Sequence, residues 1–326
     1  MVSGTALSER QHSVIERHMR EAGLRDGARV KQWDGFFSVY SASNGRLWVH
    51  KDNPRRQALQ ELYFHSLDGT CGTLTCSHPV SLWDLRRRLT ARELSRLQGF
   101  PEDMTLPTTR TQKLFGNAVC VPCAAHAISQ ALSAYPKNRT IRHFDMCSGI
   151  GGFSFALRQV AERSECVGFC EVEPHAIRCY TDNFPDSPPF GDAQEVSAWP
   201  TCDLFTAGFP CQPFSSANTK HKRATHASRN FVVTVCESIS GTRATSVVLE
   251  NIPNFRSVGA EQYEYLMHFF RINGFSVDEA ILNSAHYGVA QERKRLYIVA
   301  SKSPFPTPFV PLPPPSRRAV LRDVVR

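Results

Sequence analysis

Nowhere in these 326 residues does an apolar run approach the roughly eighteen needed to span a bilayer, so a membrane-embedded protein is not expected. The 11 cysteines follow no repeating spacing, and a chain of this length needs no disulfide staples. Reduced thiols and an intracellular location are expected. Also missing are a phosphate loop ending in Gly-Lys-Ser/Thr and the glycine spacing of dinucleotide-binding turns. There is no internal repeat, which excludes a solenoid.

What is present is enough apolar residue, 41%, to bury a full core in one large domain with a smaller lobe. The formal charge of +8 is unevenly placed. Of 38 Lys+Arg and 30 Asp+Glu, residues 1–142 hold 20 and 12, and residues 143–326 hold 18 and 18. All the excess lies in the first part, which suits either a polyanionic partner or a solvated basic surface.

From His143 onward, short β-rich runs alternate with helical stretches: 142–146, 165–170, 202–206, 246–249, 276–281 and 295–300. That alternation predicts a parallel sheet with helices on both faces. The proline-rich stretch 301–316 ends the body of the fold. Before His143, Thr90 and Glu93 predict a capping box for a helix over 91–98, stopped by Gly99-Phe100-Pro101, and 122–135 reads as a second helix. Strand-like pieces at 36–40, 47–50 and 72–76 predict a small, mostly β lobe.

The run Phe144-Asp145-Met146-Cys147-Ser148-Gly149-Ile150-Gly151-Gly152-Phe153 places a glycine-rich turn between an apolar strand and a helix over 155–162. Such a turn lets backbone approach a ligand closely. The next strand ends at Glu171, placed to meet ribose hydroxyls, and Asp192 follows as a third candidate. Together they predict a nucleoside cofactor without phosphate. Cys211, in Gly208-Phe209-Pro210-Cys211-Gln212-Pro213, sits just past a strand end on a turn fixed by proline on both sides, where a thiol is exposed and reactive. Glu250 and Asn251 end another apolar strand, and in a parallel sheet such ends share one edge. Arg293 and Arg295, in Gln291-Glu292-Arg293-Lys294-Arg295, point the same way if extended. Cys120-x-x-Cys123 invites a zinc reading, but Cys71 and Cys76 have the wrong spacing for a second knuckle, and no metal is expected.

These blocks, in this order, resemble the DNA cytosine carbon-5 methyltransferase family, with its Asp-x-x-x-Gly-x-Gly-Gly, Pro-Cys-Gln, Glu-Asn-Val and Gln-x-Arg-x-Arg signatures. The family's last two blocks have counterparts in Leu89-Thr90-Ala91-Arg92-Glu93 with Leu97-Gln98-Gly99-Phe100-Pro101, and in Phe115-Gly116-Asn117-Ala118-Val119, which here come first. The chain therefore resembles circularly permuted members, with the short 136–142 linker joining elements that pack side by side.

The resemblance implies an α/β, S-adenosylmethionine-dependent methyltransferase (Rossmann-like) fold with a mixed, mostly parallel sheet. A target-recognition region over 1–83 extends to a small lobe over 1–108, ahead of a catalytic domain over 109–326. It implies methyl transfer from S-adenosyl-L-methionine to carbon 5 of a flipped-out cytosine in DNA, through a covalent adduct on Cys211. Glu250 would engage ring N3, Arg293 and Arg295 would hold the base, and Asn251 would orient Glu250. Asp145, Gly149, Gly151, Glu171, Asp192, Asn117 and Val119 would contact the cofactor; Gln212, Ser215, Asn251 and Arg229 would contact the substrate nucleotide. At Cys147 the family commonly has phenylalanine beside the adenine ring. A monomer on double-stranded DNA is expected, with a restriction endonuclease as the family's companion, in the cytoplasm of a bacterium or virus-infected cell or the nucleus of a eukaryote. Methylation of tRNA by the same chemistry and a catalytically silent DNA-binding regulator are the alternatives.

Overall fold

Residues 141 to 301 build a six-stranded sheet whose burial explains its order. The structure, a computed structural model, describes residues 65, 67–76, 79–82, 85, 87–210 and 226–325, with the backbone alone for the strands within 31–64, for Ser81 and for 226–230. Strands β7 (Ile141–Met146), β8 (Ser164–Cys170), β9 (Leu204–Gly208), β10 (Ser246–Asn251), β11 (Ser276–Asn283) and β12 (Lys294–Ser301) lie in the order β11-β12-β10-β9-β7-β8. Central strands β9 and β10 are buried along almost their whole length, whereas edge strands β8 and β11 alternate or start exposed. Near-continuous apolar strands fit a sheet covered on both faces.

The sheet is mixed, which corrects the all-parallel expectation from strand and helix alternation. β7 pairs in parallel with β8 and β9, and β9 with β10, but β12 runs antiparallel to both β10 and β11. No helix separates β11 from β12, only a one-turn 3-10 segment at Ser284–His286, so the chain doubles back instead of crossing over. The mixed, mostly parallel architecture implied by the family resemblance is the one found.

Helix α1 (Ala91–Leu97) carries the predicted capping box: Thr90 Oγ accepts from Glu93 N at 3.3 Å, and Glu93 accepts from Thr90 N at 2.7 Å. Arg87 adds a bidentate pair to Glu93, with both contacts at 2.7 Å. Gly99 ends the helix at φ +74, and a Cβ there would lie 2.3 Å from Pro122 Cδ, so only glycine lets the next segment approach. After α2 (Thr111–Asn117), α3 (Val121–Ala131) buries Ala124, Ala127, Ile128 and Ala131 against the sheet and α4 (Gly152–Val160). Burial of the Ile128 side chain contributes about 1.5–3 kcal/mol, and each alanine methyl roughly 0.8 kcal/mol. Leu67, Leu94, Leu97 and Phe100 belong to the same core cluster as Leu204, Val248 and Tyr297, so these residues share the six-stranded central sheet's core.

The predicted strand over 72–76 is not formed. Its polar groups are divided instead: Cys71 N donates to Ala290 O, Glu292 N donates to Cys71 O, and Leu74 N donates to the Gln291 side chain. A second sheet runs β1 (Lys31–Trp33), β2 (Phe36–Tyr40), β3 (Arg46–Asn53), β4 (Ala58–His65), β5 (Ser81–Leu82), β6 (Arg87–Arg88) in chain order. It includes the strands expected at 36–40 and 47–50.

Candidate active site

The carboxyl ends of β7, β8, β9 and β10 form one edge, and the predicted residues that the structure describes gather along it. The turn after β7 has Cys147, Gly149 and Gly151 at φ +55, +55 and +88. Cys147 is a side chain in a left-handed conformation that glycine accepts without strain. A Cβ on Gly149 would meet nothing within 4 Å, which leaves open space over the turn. Gly152 is tight: its Cβ would fall 2.5 Å from Val119 Cγ2. Val119 thus packs on the turn, and its other methyl would lie 3.4 Å from a Cβ on Gly208.

Glu171, at the end of β8, is half-buried and fixed by backbone. It accepts from Gly149 N at 2.8 Å, Val172 N at 2.8 Å and Glu173 N at 2.9 Å. Its own N donates to Gly191 O at 3.1 Å, which brings Asp192 alongside. Asp192 accepts from Gln194 N, and Asn117 is exposed at the end of α2. Ser148 Oγ is buried in the turn without a hydrogen-bond partner.

Asp145 stands apart from these groups. It is fully buried, and its carboxylate accepts from Thr206 Oγ1 at 2.8 Å and Ser154 Oγ at 3.2 Å. Thr206 in turn bonds His143 Nε2 at 2.7 Å, and Ser154 bonds Tyr180 Oη at 2.7 Å. Burial raises the Asp145 pKa to about 8 against the pull of both hydroxyls. Burial also lowers the His143 pKa to about 3, keeping that imidazole neutral.

Glu250, 8% exposed at the end of β10, lies 3.1 Å from Arg295 Nε through Oε1, an ion pair without hydrogen-bond alignment. Gly208 borders the other oxygen, since a Cβ there would come within 3.9 Å of Oε2. Arg293 is 3% exposed and donates through Nη1 to Leu74 O at 3.2 Å and Gly116 O at 3.1 Å. Burial, then the neighbouring Arg295 charge, lowers its pKa to about 10.

Asn251 does not reach Glu250, contrary to the expectation for it. Its amide donates to Phe209 O at 3.4 Å and its oxygen accepts from Ile252 N. It steadies the chain two residues before Cys211. Cys211, Gln212 and Ser215 lie outside the described residues, and Arg229 lies in helix α5 (His226–Thr242), of which only the backbone is described there.

Sequence reading gave no role to Gln98 and Gln291. Gln291 accepts from Leu74 N at 2.8 Å and donates to Leu97 O at 2.8 Å and Gln98 Oε1 at 3.2 Å; Gln98 donates to Phe115 O at 2.6 Å. Both are wholly buried. A glutamine set among Leu97, Gly99 and Phe100 was the available signal, because a buried amide must find partners.

A profile of the family described as C-5 cytosine-specific DNA methylase matches residues 9–133 and 141–320. The Type II methyltransferase M.MspI of Moraxella sp is 33% identical over 179 residues, covering 53% of this chain and 41% of the relative. Type II methyltransferase M.BanI of Aneurinibacillus aneurinilyticus is 30% identical over 164 residues, 49% and 38% of the two chains. Type II methyltransferase M.HhaI of Haemophilus parahaemolyticus is 29% identical over 179 residues, 52% and 54% of the two chains. The matched stretch thus spans about half, or less, of each of these relatives.

Proposed function

Because the chain belongs to the C-5 cytosine-specific DNA methylase family, we propose that it transfers a methyl group to carbon 5 of cytosine in double-stranded DNA. The observation that carries this reading is Glu250: a buried carboxylate at a strand's end, ion-paired to Arg295 at 3.1 Å, with Oε1 lacking a hydrogen bond. Its near neighbours are the glycine turn, through Val119, and the strand that leads to Cys211. A carboxyl group held so is suited to a ring nitrogen that must be protonated or hydrogen-bonded before a nucleophile adds.

The glycine turn fits S-adenosylmethionine. The space over Gly149, the backbone-anchored Glu171 and the unpartnered Ser148 hydroxyl suit a nucleoside with an amino-acid tail. Gly149, Gly151, Glu171, Asp192, Asn117 and Val119 would hold it, with Asp145 bracing the turn from below. When bound, it supplies an electrophilic methyl group.

The protein's own residues do the rest. The Cys211 thiolate adds to carbon 6 of the flipped cytosine while Glu250 engages N3, which makes carbon 5 nucleophilic. After transfer the carbon 5 proton is removed and Cys211 leaves by elimination. Arg295 holds Glu250 and the base, and Arg293 ties the base pocket to Leu74 and Gly116. Asn251 sets the turn that carries Cys211, and Gln212, Ser215 and Arg229 meet the displaced nucleotide and its phosphates.

We read the blocks as circularly permuted, with residues 1–108 as the recognition lobe and 109–326 as the catalytic domain. The basic excess of residues 1–142 supports DNA contact on that side. A monomer acting beside a restriction endonuclease completes the reading. The test is transfer of labelled methyl from S-adenosylmethionine to unmodified DNA and to RNA by wild type and Cys211→Ser, followed by bisulfite sequencing. Methylated cytosines in DNA, lost in the variant, are expected. Label in RNA alone would make this a tRNA enzyme, and binding of DNA and cofactor without transfer would make it a silent regulator.

A further inference from the structure

The two oxygens of Glu250 face different strands. Register puts Gly208, Glu250, Tyr297 and Ala280 in one row across β9, β10, β12 and β11, and residues paired across a sheet share a face. The ends of that row carry only a hydrogen and a methyl group, so Glu250 and Tyr297 are its two functional side chains. Arg295 Nε, from β12, lies 3.1 Å from Glu250 Oε1, which therefore leans toward β12. Oε2 is the oxygen on the Gly208 side, within 3.9 Å of where a Cβ there would stand.

Directly opposite Glu250 on β12 is Tyr297. Cross-strand partners of this kind have Cβ atoms about 4.5–5.5 Å apart. Helix α3 packs on β12, and Tyr297, 1% exposed, belongs to the core cluster the two share. Its Oη has no hydrogen-bond partner within the chain, and neither has Glu250 Oε1. Phenylalanine would fill the same space without stranding a hydroxyl, so packing alone does not account for a tyrosine here. Burial first, and then neighbouring groups that include Glu250, hold the Tyr297 phenol well above its ordinary pKa, so it keeps its proton and remains a donor. A buried donor and a buried acceptor thus stand on adjacent strands, on one face, each without a partner.

We propose that Tyr297 is a positioning residue for Glu250, acting through one water molecule that accepts from Tyr297 Oη–H and donates to Glu250 Oε1. This rests on the methyltransferase reading and deepens it. Water is the bridge because the site is buried and polar, and a buried water needs at least two such partners.

The consequence for the reaction is a choice between two oxygens. Oε1, facing the Arg295 charge and accepting from the water, is the weaker base of the pair. The proton of the neutral carboxyl group therefore stands on Oε2, from which it is offered to ring N3 of the cytosine. The same bridge fixes the plane of the carboxyl group, and a misplaced acid loses rate even when its chemistry is intact. Tyr297 makes and breaks no covalent bond in any step.

Two measurements on the full chain test this. In a high-resolution crystal structure, a water should stand within about 3.2 Å of both Tyr297 Oη and Glu250 Oε1, and it should be missing there in Tyr297→Phe. No water at that position, or Oη bonded to a protein group instead, overturns the proposal. In single-turnover assays, per folded molecule, Tyr297→Phe should lower the methyl-transfer rate about threefold to tenfold, the worth of about one hydrogen bond, with dissociation constants for DNA and S-adenosylmethionine unchanged within about twofold. A packing role would move the melting midpoint and leave that rate alone, so equal rates in the two proteins also overturn it. The two kinds of failure are distinguishable. Wild type that transfers no methyl group overturns the methyltransferase reading, and the role of Tyr297 with it, whereas wild type that transfers no faster than Tyr297→Phe overturns the positioning role alone.

Discussion

The two halves of the central sheet treat their buried polar groups in opposite ways. Around β7 and β9, His143, Thr206, the Asp145 carboxyl group, Ser154 and Tyr180 bond one to the next in a continuous chain. Around β10 and β12, Glu250 Oε1, Arg293 Nε and Tyr297 Oη lack hydrogen bonds. A satisfied network rigidifies, whereas atoms left without partners are a cost that only a bound molecule removes. Acidic side chains at equivalent strand ends therefore differ in kind: Asp145 is held by hydroxyls, whereas Glu250 is ion-paired with Oε1 lacking a hydrogen bond, as its proposed role on the base requires.

The sharpest way to break this comparison is to exchange the two acids for their amides. Glu250→Gln should lower methyl transfer by about 10²–10⁴-fold, the range for a lost general acid, with little change in thermal midpoint. Asp145→Asn should do the reverse, altering stability and its pH dependence far more than the rate per folded molecule. Single-turnover assays beside thermal melts separate the two. Comparable rate losses in both variants would erase the distinction.

The pH response is the next largest effect. Asp145 goes from its ordinary value of 3.8 unfolded to about 8 folded, so between those values the native state binds more protons. Its stabilising contribution is full below about 4 and is lost as pH rises toward 8. His143 moves the other way, from 6.5 to about 3; its contribution is full above 6.5 and lost as pH falls toward 3. Between pH 6.5 and 8 the Asp145 slope is no longer joined by that of His143. Urea melts of wild type should weaken across that interval by about 1–2 kcal/mol, taking 1.36 kcal/mol per unit as the ceiling, and Asp145→Asn should be flat there.

Arg293 tests the border between the halves, because it is both a holder of structure and a neighbour of the unpartnered groups. Arg293→Lys keeps the charge but loses the two-carbonyl grip on Leu74 and Gly116. A loss of about 1–3 kcal/mol is expected, the range for stranded buried polar groups, read as a lower urea midpoint at constant m-value. No loss would mean that the Gln291 side chain, the Cys71 backbone pairs and the shared apolar core suffice to hold residues 71–76 in place.

Much of this is legible in the sequence. Strand ends carrying Gly149, Glu171 and Glu250 follow from apolar runs that stop at glycine or acid, and the α1 capping box follows from Thr90 and Glu93 three residues apart. What the sequence hid was direction and partner choice. Nothing in the residues of β12 states that it runs antiparallel, since the cause is the brevity of the connection before it. Residues 72–76 have strand-like composition, yet Gln291 and Arg293, more than two hundred residues away, take up their backbone groups. The family resemblance implies that Asn251 orients Glu250, but side chains of neighbouring strand residues point to opposite faces, and Asn251 bonds Phe209 instead.

The smallest expected effect is also the most selective. Ser148 is the exception on the satisfied side: buried, in the glycine turn, and without a partner for its hydroxyl. If that oxygen is kept for the cofactor, Ser148→Ala removes nothing the folded chain uses. Stability should shift by no more than about 0.5 kcal/mol, or rise slightly as an unsatisfied group disappears. Affinity for S-adenosylhomocysteine, measured by calorimetry, should weaken by roughly threefold to tenfold, the worth of about one hydrogen bond. A Ser148→Ala protein that melts lower but binds as before would place Ser148 with Asp145 among the bracing groups, and the boundary between the two kinds of site would move one turn outward.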